Sequence, residues 1–243
     1  MKQGIIVILL ILLMSMATYT SAMDISIPDS ATQNEFRDFV KEVGYALTFA
    51  PMAPAAPLHI TGFDVSIEVV ATDIDDDKKY WKTFIDDADV DAILPVPRIH
   101  VQKGLPRNID IGAMYASVPD SNINLWGIEV KWAILEGTVA TPALCVRGSY
   151  SALSGVEDLS LNTMSADVLI SKGILMFTPY AGASVIRVSG SADDSDANLD
   201  DEDGAIYKLL GGVQFSPFPL LVVNVEVGLG EVNQYGIKAG LRF

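Results

Sequence analysis

Cysteine is almost missing from this chain: Cys145 is the only one among 243 residues. One thiol excludes an intramolecular disulfide, so an exported fold has to stand without a covalent staple. Cys145 falls in an alternating stretch and reads as a small buried residue rather than a reactive thiol. Histidine is nearly as scarce, with only His59 and His100. Basic residues are few: 16 Lys and Arg stand against 31 Asp and Glu, for a formal charge of −15. Nucleic-acid binding needs a basic footprint and is excluded on that ground. Long hydrophobic runs are missing too. The one candidate, Ile5 to Ala17, has about 13 residues, short of the ~20 that a spanning helix needs.

That run has a different use. Lys2 precedes it and Thr20-Ser21-Ala22 follows it, so residues 1–22 read as a secretory signal peptide for the Sec pathway. Ala17 is a second cleavage candidate, and no Cys follows either site to carry a lipid. Yet 50% of the chain is hydrophobic and its mean hydropathy is +0.33. An apolar exported chain without a spanning helix stays in a membrane only as a closed barrel, because lipid offers no partners to open sheet edges.

The strand pattern agrees. In the last nine residues Tyr235, Ile237, Ala239, Leu241 and Phe243 form one row, and Gly236, Lys238, Gly240 and Arg242 the other. Strict period-2 alternation ending on an aromatic suits a lipid-facing barrel strand. Upstream, Trp126, Ile128, Val130, Trp132 and Ile134 alternate with Gly127, Glu129, Lys131 and Ala133. Similar rows predict about ten strands, within a range of 8–12, over residues 58–243. Tyr150, Tyr180 and Phe215 are assigned to the outward rows with the tryptophans. Connections alternate in length, and the two longest, both acidic, fall on the same side. That is the arrangement of short periplasmic turns and longer external loops.

Residues 23–57 form a separate N-terminal segment. Phe36, Phe39, Val40, Val43, Ala46 and Leu47 share one face of a helix over about 34–49, with Thr32 and Glu35 as a capping box. Pro51, Pro54 and Pro57 stop the helix and make a stiff connector. The expected site for the helix is the periplasmic rim, with a plug inside the lumen as the alternative.

Chemistry is sparse. The predicted inward rows carry the acids Asp64, Glu68, Asp110, Glu129, Asp167 and Glu226. They also carry the bases Arg98, Lys131, Arg147, Arg187, Lys208, Lys238 and Arg242. Charges inside a narrow barrel must pair or be hydrated, so these residues either interlock or line a pore. Both histidines fall toward the periplasmic side, away from an external cleft. No Gly-x-Ser-x-Gly elbow is present, so no catalytic site is assigned. Asp194, Asp196, Asn198 and Asp200 alternate as oxygen ligands do. However, Leu199 and Ala205 stand where a calcium loop needs Gly and Glu, so no metal or other cofactor is assigned.

The terminal row resembles the C-terminal signature that the barrel-assembly machinery of Gram-negative outer membranes recognises. The rest of the mature chain resembles an uncharacterised Gram-negative (proteobacterial) outer-membrane β-barrel family. The resemblance is carried by Pro57-Leu-His-Ile-Thr-Gly-Phe-Asp-Val65, Pro95-Val-Pro-Arg-Ile-His-Val-Gln-Lys-Gly-Leu-Pro106, Ala140-Thr-Pro-Ala-Leu-Cys-Val-Arg-Gly-Ser-Tyr150 and Thr178-Pro-Tyr-Ala-Gly182. It implies assembly with periplasmic chaperones, lodging in outer-membrane lipid and lipopolysaccharide, and no activity to transfer. The expectation is an all-β, up-and-down transmembrane barrel in the bacterial outer membrane, acting as a narrow passive porin-like channel. The alternative is a closed structural or surface-interaction barrel with acidic external loops. Oligomeric state is open, since lipid-facing and partner-facing rows look alike.

Overall fold

The computed structural model describes residues 25–85, 92–117, 122–156, 159–192 and 199–243. The expected signal peptide lies outside these residues, as do Asp194, Asp196 and Asn198 of the candidate calcium loop. Ten strands follow in chain order: β1 (Phe63–Asp73), β2 (Ile93–Leu105), β3 (Ile109–Ser117), β4 (Asn124–Leu135), β5 (Ala143–Ser154), β6 (Leu159–Ser171), β7 (Phe177–Ala192), β8 (Glu202–Phe218), β9 (Leu221–Gly230) and β10 (Gln234–Arg242). Each pairs antiparallel with its sequence neighbours. β1 also pairs with β10, from Asp64↔Arg242 to Thr72↔Gln234, so the sheet closes into a barrel without edges.

The turns set which end is which. At one end β2–β3, β6–β7 and β8–β9 reverse tightly, using left-handed backbone at Arg107, Asn108, Leu175 and Leu220. The C-terminus lies at this short-turn end. The β1–β2 and β7–β8 connections lie at the other, the long-loop end. Upstream of Ile99, β2 pairs with β1 in a stretch that carries Pro95 and Pro97, while its pairing with β3 begins only at Ile99. Prolines are tolerated there because, among the described residues, no partner on that side draws on their missing donors.

The outer wall is apolar. Ile99, Ile128, Val130, Met164, Val168, Leu209, Val225 and Ile237 are exposed on it. Tyr115, Trp126, Tyr207 and Tyr235 ring its long-loop half, and Trp132, Phe177, Phe218 and Phe243 its short-turn half. An aliphatic band between two aromatic girdles is the exterior of a barrel dissolved in lipid. A strand such as β10, rising about 3.3 Å per residue and tilted ~40°, carries the band through roughly 20 Å.

The N-terminal helix, α1 (Gln33–Ala46), starts on the predicted capping box, with Thr32 and Glu35 satisfying each other's backbone N–H groups. Its position differs from expectation. It sits inside the long-loop mouth of the barrel, not on the short-turn rim. Phe36, Phe39, Val40 and Val43 are buried in one cluster with Met114, Leu125, Leu159, Leu161, Ile186, Val188 and Ile206, which point inward from the wall. Burying each such side chain stabilises by roughly 1.5–3 kcal/mol. Helix and wall approach so closely that a Cβ on Gly44 would collide with Val188, and one on Gly190 with Val40.

Two further features depart from the sequence pattern. A short helix, α2 (Lys79–Phe84), interrupts the first acidic connection. Its Trp81 and Phe84 rings meet Phe39 at centroid distances of 5.5 and 4.7 Å, closing an aromatic lid over α1. In β7 the two rows are inverted. Tyr180, Ile186 and Val188 face inward and buried, whereas Arg187 faces outward, its side chain 65% exposed, and pairs with Asp203 at 3.0 Å. Arg187 is therefore not a lumen residue. The cause is α1: a helix inside the mouth makes the upper interior apolar, so Ile186 and Val188 belong there.

Candidate functional site

Three prolines decide how the chain leaves α1. Pro51, Pro54 and Pro57 cannot continue a helix, and each removes an N–H that would need a partner. Residues 47–58 instead run down the lumen as an extended strap. The strap leaves at the short-turn end, where Gly104 N donates to Gly62 O at 3.0 Å.

The wall satisfies the strap's backbone group by group. Gln234 Nε2 donates to Tyr45 O at 2.9 Å, and Ser151 Oγ to Leu47 O at 2.9 Å. Arg98 donates to Thr48 O at 3.1 Å, and Arg147 to Phe49 O at 2.8 Å. Lower down, Met52 N donates to Glu226 at 3.0 Å while Met52 O accepts from Asn224 at 3.0 Å. Ala55 N donates to Ser171 Oγ at 3.1 Å. Lys131 Nζ reaches Pro54 O at 3.2 Å and Ala56 O at 3.1 Å, and Leu58 N donates to Asp110 at 3.1 Å. Phe49 is the one large ring on the strap. Arg147 lies 4.9 Å and Arg98 5.6 Å from its centroid, and the His100 ring meets its edge at 4.8 Å.

The strap-binding groups are themselves linked. Arg98 pairs with Glu68, and Glu68 faces His100 Nδ1 at 3.3 Å. His100 Nε2 faces Glu129 at 3.1 Å, and Arg147 bridges Glu129 to Asp167, the latter at 2.6 Å. A ring protonated on both nitrogens would donate to both carboxylates. Lys131 pairs with Asp110 at 3.0 Å. Asp64 holds Arg242 at 2.9 Å and lies 3.3 Å from Lys238 Nζ, near enough for an ion pair but outside hydrogen-bond alignment. Lys208 donates to Gln234 at 3.1 Å, and Tyr180 to Glu226 at 3.0 Å.

Of the thirteen lumen candidates, all but Arg187 thus lie inside the wall, with Arg242 partly open at the short-turn mouth. Charges buried this deeply cost desolvation that their mutual attraction has to offset, so the pairs are weak evidence for net stability. Of these residues, Arg98, Asp110, Lys131, Arg147 and Glu226 bond the strap backbone directly. Sequence reasoning missed Asn224, Ser171 and Ser151 as strap partners, and Gln234 as the donor to Tyr45 O in the last turn of α1. Uncharged polar residues on an inward row carry no signal of what they bind. The signal available was the strap itself, whose prolines and alanines make a thin chain with few donors.

His100 is enclosed between two carboxylates and inaccessible, and His59 is exposed at the short-turn end. Among the described residues, hollows flank the plug at both ends. One, of about 140 Å³, lies beside Arg37, Lys41 and Glu202 at the long-loop mouth. The other, of about 220 Å³, lies beside Ala56, Thr138 and Ser171 at the short-turn mouth.

No family model matches this chain, and no curated protein does. Among solved structures it is similar to the N-terminal β-barrel domain of Pseudomonas aeruginosa OprF, at 12% identity and a TM-score of 0.35, over 74% of this chain and 97% of that one. It is also similar to Ail of Yersinia pestis in complex with the heparin analogue sucrose octasulfate, at 11% identity and a TM-score of 0.31, over 75% and 98%. Neisserial surface protein A shows 9% identity and a TM-score of 0.31, over 74% and 95%. Likeness at this level carries no weight; the barrel follows from the strand register itself.

Proposed function

We propose that this is a self-plugged barrel of the Gram-negative outer membrane whose working surface is its long-loop face. The charged rows taken alone suggest a narrow channel. The observation that favours a closed barrel is the strap, which occupies the lumen and is hydrogen-bonded along its length. The girdled apolar exterior and the terminal Tyr235–Phe243 row support the outer-membrane placement. The same row suits delivery by periplasmic chaperones to the barrel-assembly machinery, and lipopolysaccharide would surround the long-loop end. In this reading the interior charges hold the plug and filter nothing.

The test is single-channel recording on the mature chain refolded into planar bilayers, with heat-modifiable gel mobility showing that the barrel has formed. The expected result is a folded barrel without discrete current steps. Reproducible steps whose ion selectivity shifts in Arg98→Glu or Arg147→Glu would restore the channel reading.

A further inference from the structure

The two ends of the described chain lie at opposite ends of the barrel. Ten strands bring β1 and the C-terminus to the short-turn end, where Phe63 N donates to Phe243 O at 3.0 Å. An ordinary leader to β1 would begin there too. Here the strap carries the chain back through the lumen, and α1 and the residues before it sit at the long-loop end. Ile25 pairs with Ile85 beyond α2, and Ser26 N donates to Phe84 O at 3.0 Å. Ile27 is buried in the same cluster as Phe36 and Trp81. Asp29 and Ser30 turn outward and are exposed.

We infer that the barrel threads its own N-terminal arm through its lumen and displays it on the outer face of the membrane. The orientation rests on the outer-membrane reading above, in which long loops are external. The displayed unit is more than a tail. The arm, α1 and α2 form one folded cap, tied to the loops around it. Gln33 contacts Asp200 O at 2.9 Å and Glu202 at 2.6 Å, Arg37 binds Glu202 at 3.2 Å, and Lys41 binds Glu231. These ties are polar and at most partly buried, as befits a surface that meets water. The strap below them is gripped by buried groups. Anchor and display are thus consecutive parts of one segment.

The connectivity also sets how this arises. The strap runs directly into β1, and β1 meets β10 along nine residue pairs. Until that seam forms, the sheet is open and the arm can be laid across it. Closing the seam encloses the strap with the arm already on the far side, so no folded helix has to be drawn through a finished barrel.

Single cysteines in the full chain test this, because Cys145 is wholly buried. Ser30→Cys reports on the arm, Asp201→Cys on a long loop and Leu175→Cys on a short turn. All three positions are exposed. Intact cells are treated with a membrane-impermeant maleimide, then treated again after the outer membrane is opened. The expected result is labelling of Ser30→Cys and Asp201→Cys on intact cells, and of Leu175→Cys only after opening. Labelling of Asp201→Cys but not Ser30→Cys on intact cells overturns the threaded arm and leaves the outer-membrane reading standing. Labelling of Leu175→Cys alone on intact cells overturns external display by inverting the barrel. Equal labelling of all three before and after opening removes the membrane reading, and the inference with it.

Discussion

Arg147 makes two ion pairs and touches both the carbonyl and the ring of Phe49, so it ties the wall to the strap. Arg147→Met would leave Glu129 and Asp167 buried without their shared cation, and breaking a buried pair in this way costs about 3–5 kcal/mol. Urea unfolding of the refolded barrel should show that loss. The double variant with Glu129→Gln should recover part of it, because fewer uncompensated charges remain. Gly44 offers a test of opposite sign to helix propensity. Alanine is the better helix former by about 1 kcal/mol, yet Gly44→Ala drives a methyl into Val188. The expected outcome is a lower thermal midpoint for Gly44→Ala and recovery in Gly44→Ala with Val188→Ala. A wild-type-like midpoint for the single variant would mean that α1 does not sit against β7.

At the scale of elements, one buried carboxylate gathers three of the polar ties between α1 and the segment that caps it. Glu42 accepts from Asp75 N at 2.8 Å, from Trp81 Nε1 at 3.0 Å and from the Tyr80 phenol. Burial first, and the hydrogen bond to Glu42 second, push the Tyr80 phenol well above its ordinary value of 10.0. A phenol raised in the folded state contributes stability that is complete below pH 10 and is lost as pH climbs beyond it. Ultraviolet titration should show a component that ionises later than the exposed tyrosines, and that component should be smaller by one phenol in Tyr80→Phe. At the acid end, the Lys79 ammonium and the Thr32 cap hold the Glu35 carboxyl below its usual range. That contribution is present above the ordinary carboxylate range and lost as pH falls through the lowered value. The α1–α2 contact should therefore be looser in strong acid, read as faster amide exchange in α1. Sequence legibility divides along the same elements. The capping box announced α1 because its two partners are three residues apart. Trp81 and Phe84 did not announce α2, since a six-residue helix is too short for a periodic face and acidic neighbours surround it. In β7 alternation separated Arg187 from Ile186 and Val188 correctly, but which row faces inward depends on what fills the barrel.

For the whole molecule, the hydrogen-bonded strap predicts a plug that survives loss of its covalent tether. A protease site inserted at Thr61, in the exposed link between strap and β1, should be cleavable after folding. The severed N-terminal piece should remain bound through gel filtration in native detergent buffer, and conductance should stay silent. Urea sufficient to extract the piece without unfolding the strands should then open current steps. Spontaneous release on cleavage would show that the wall holds the strap weakly.

By itself the sequence determined the fold-level features: alternating rows, an apolar face, tight turns set against long acidic connections, and a terminal aromatic row. Each is a local or periodic property, readable because side chains on a strand repeat every two residues. Only the tertiary structure decided that α1 lies inside the mouth, that residues 47–58 fill the lumen and that the arm ends opposite the C-terminus. An amphipathic helix and a proline-rich connector specify that an apolar face and a set of carbonyls must be covered. The closed ring of β1 to β10 determines what covers them, by bringing Arg98, Arg147, Asn224 and Lys131 together around one chain.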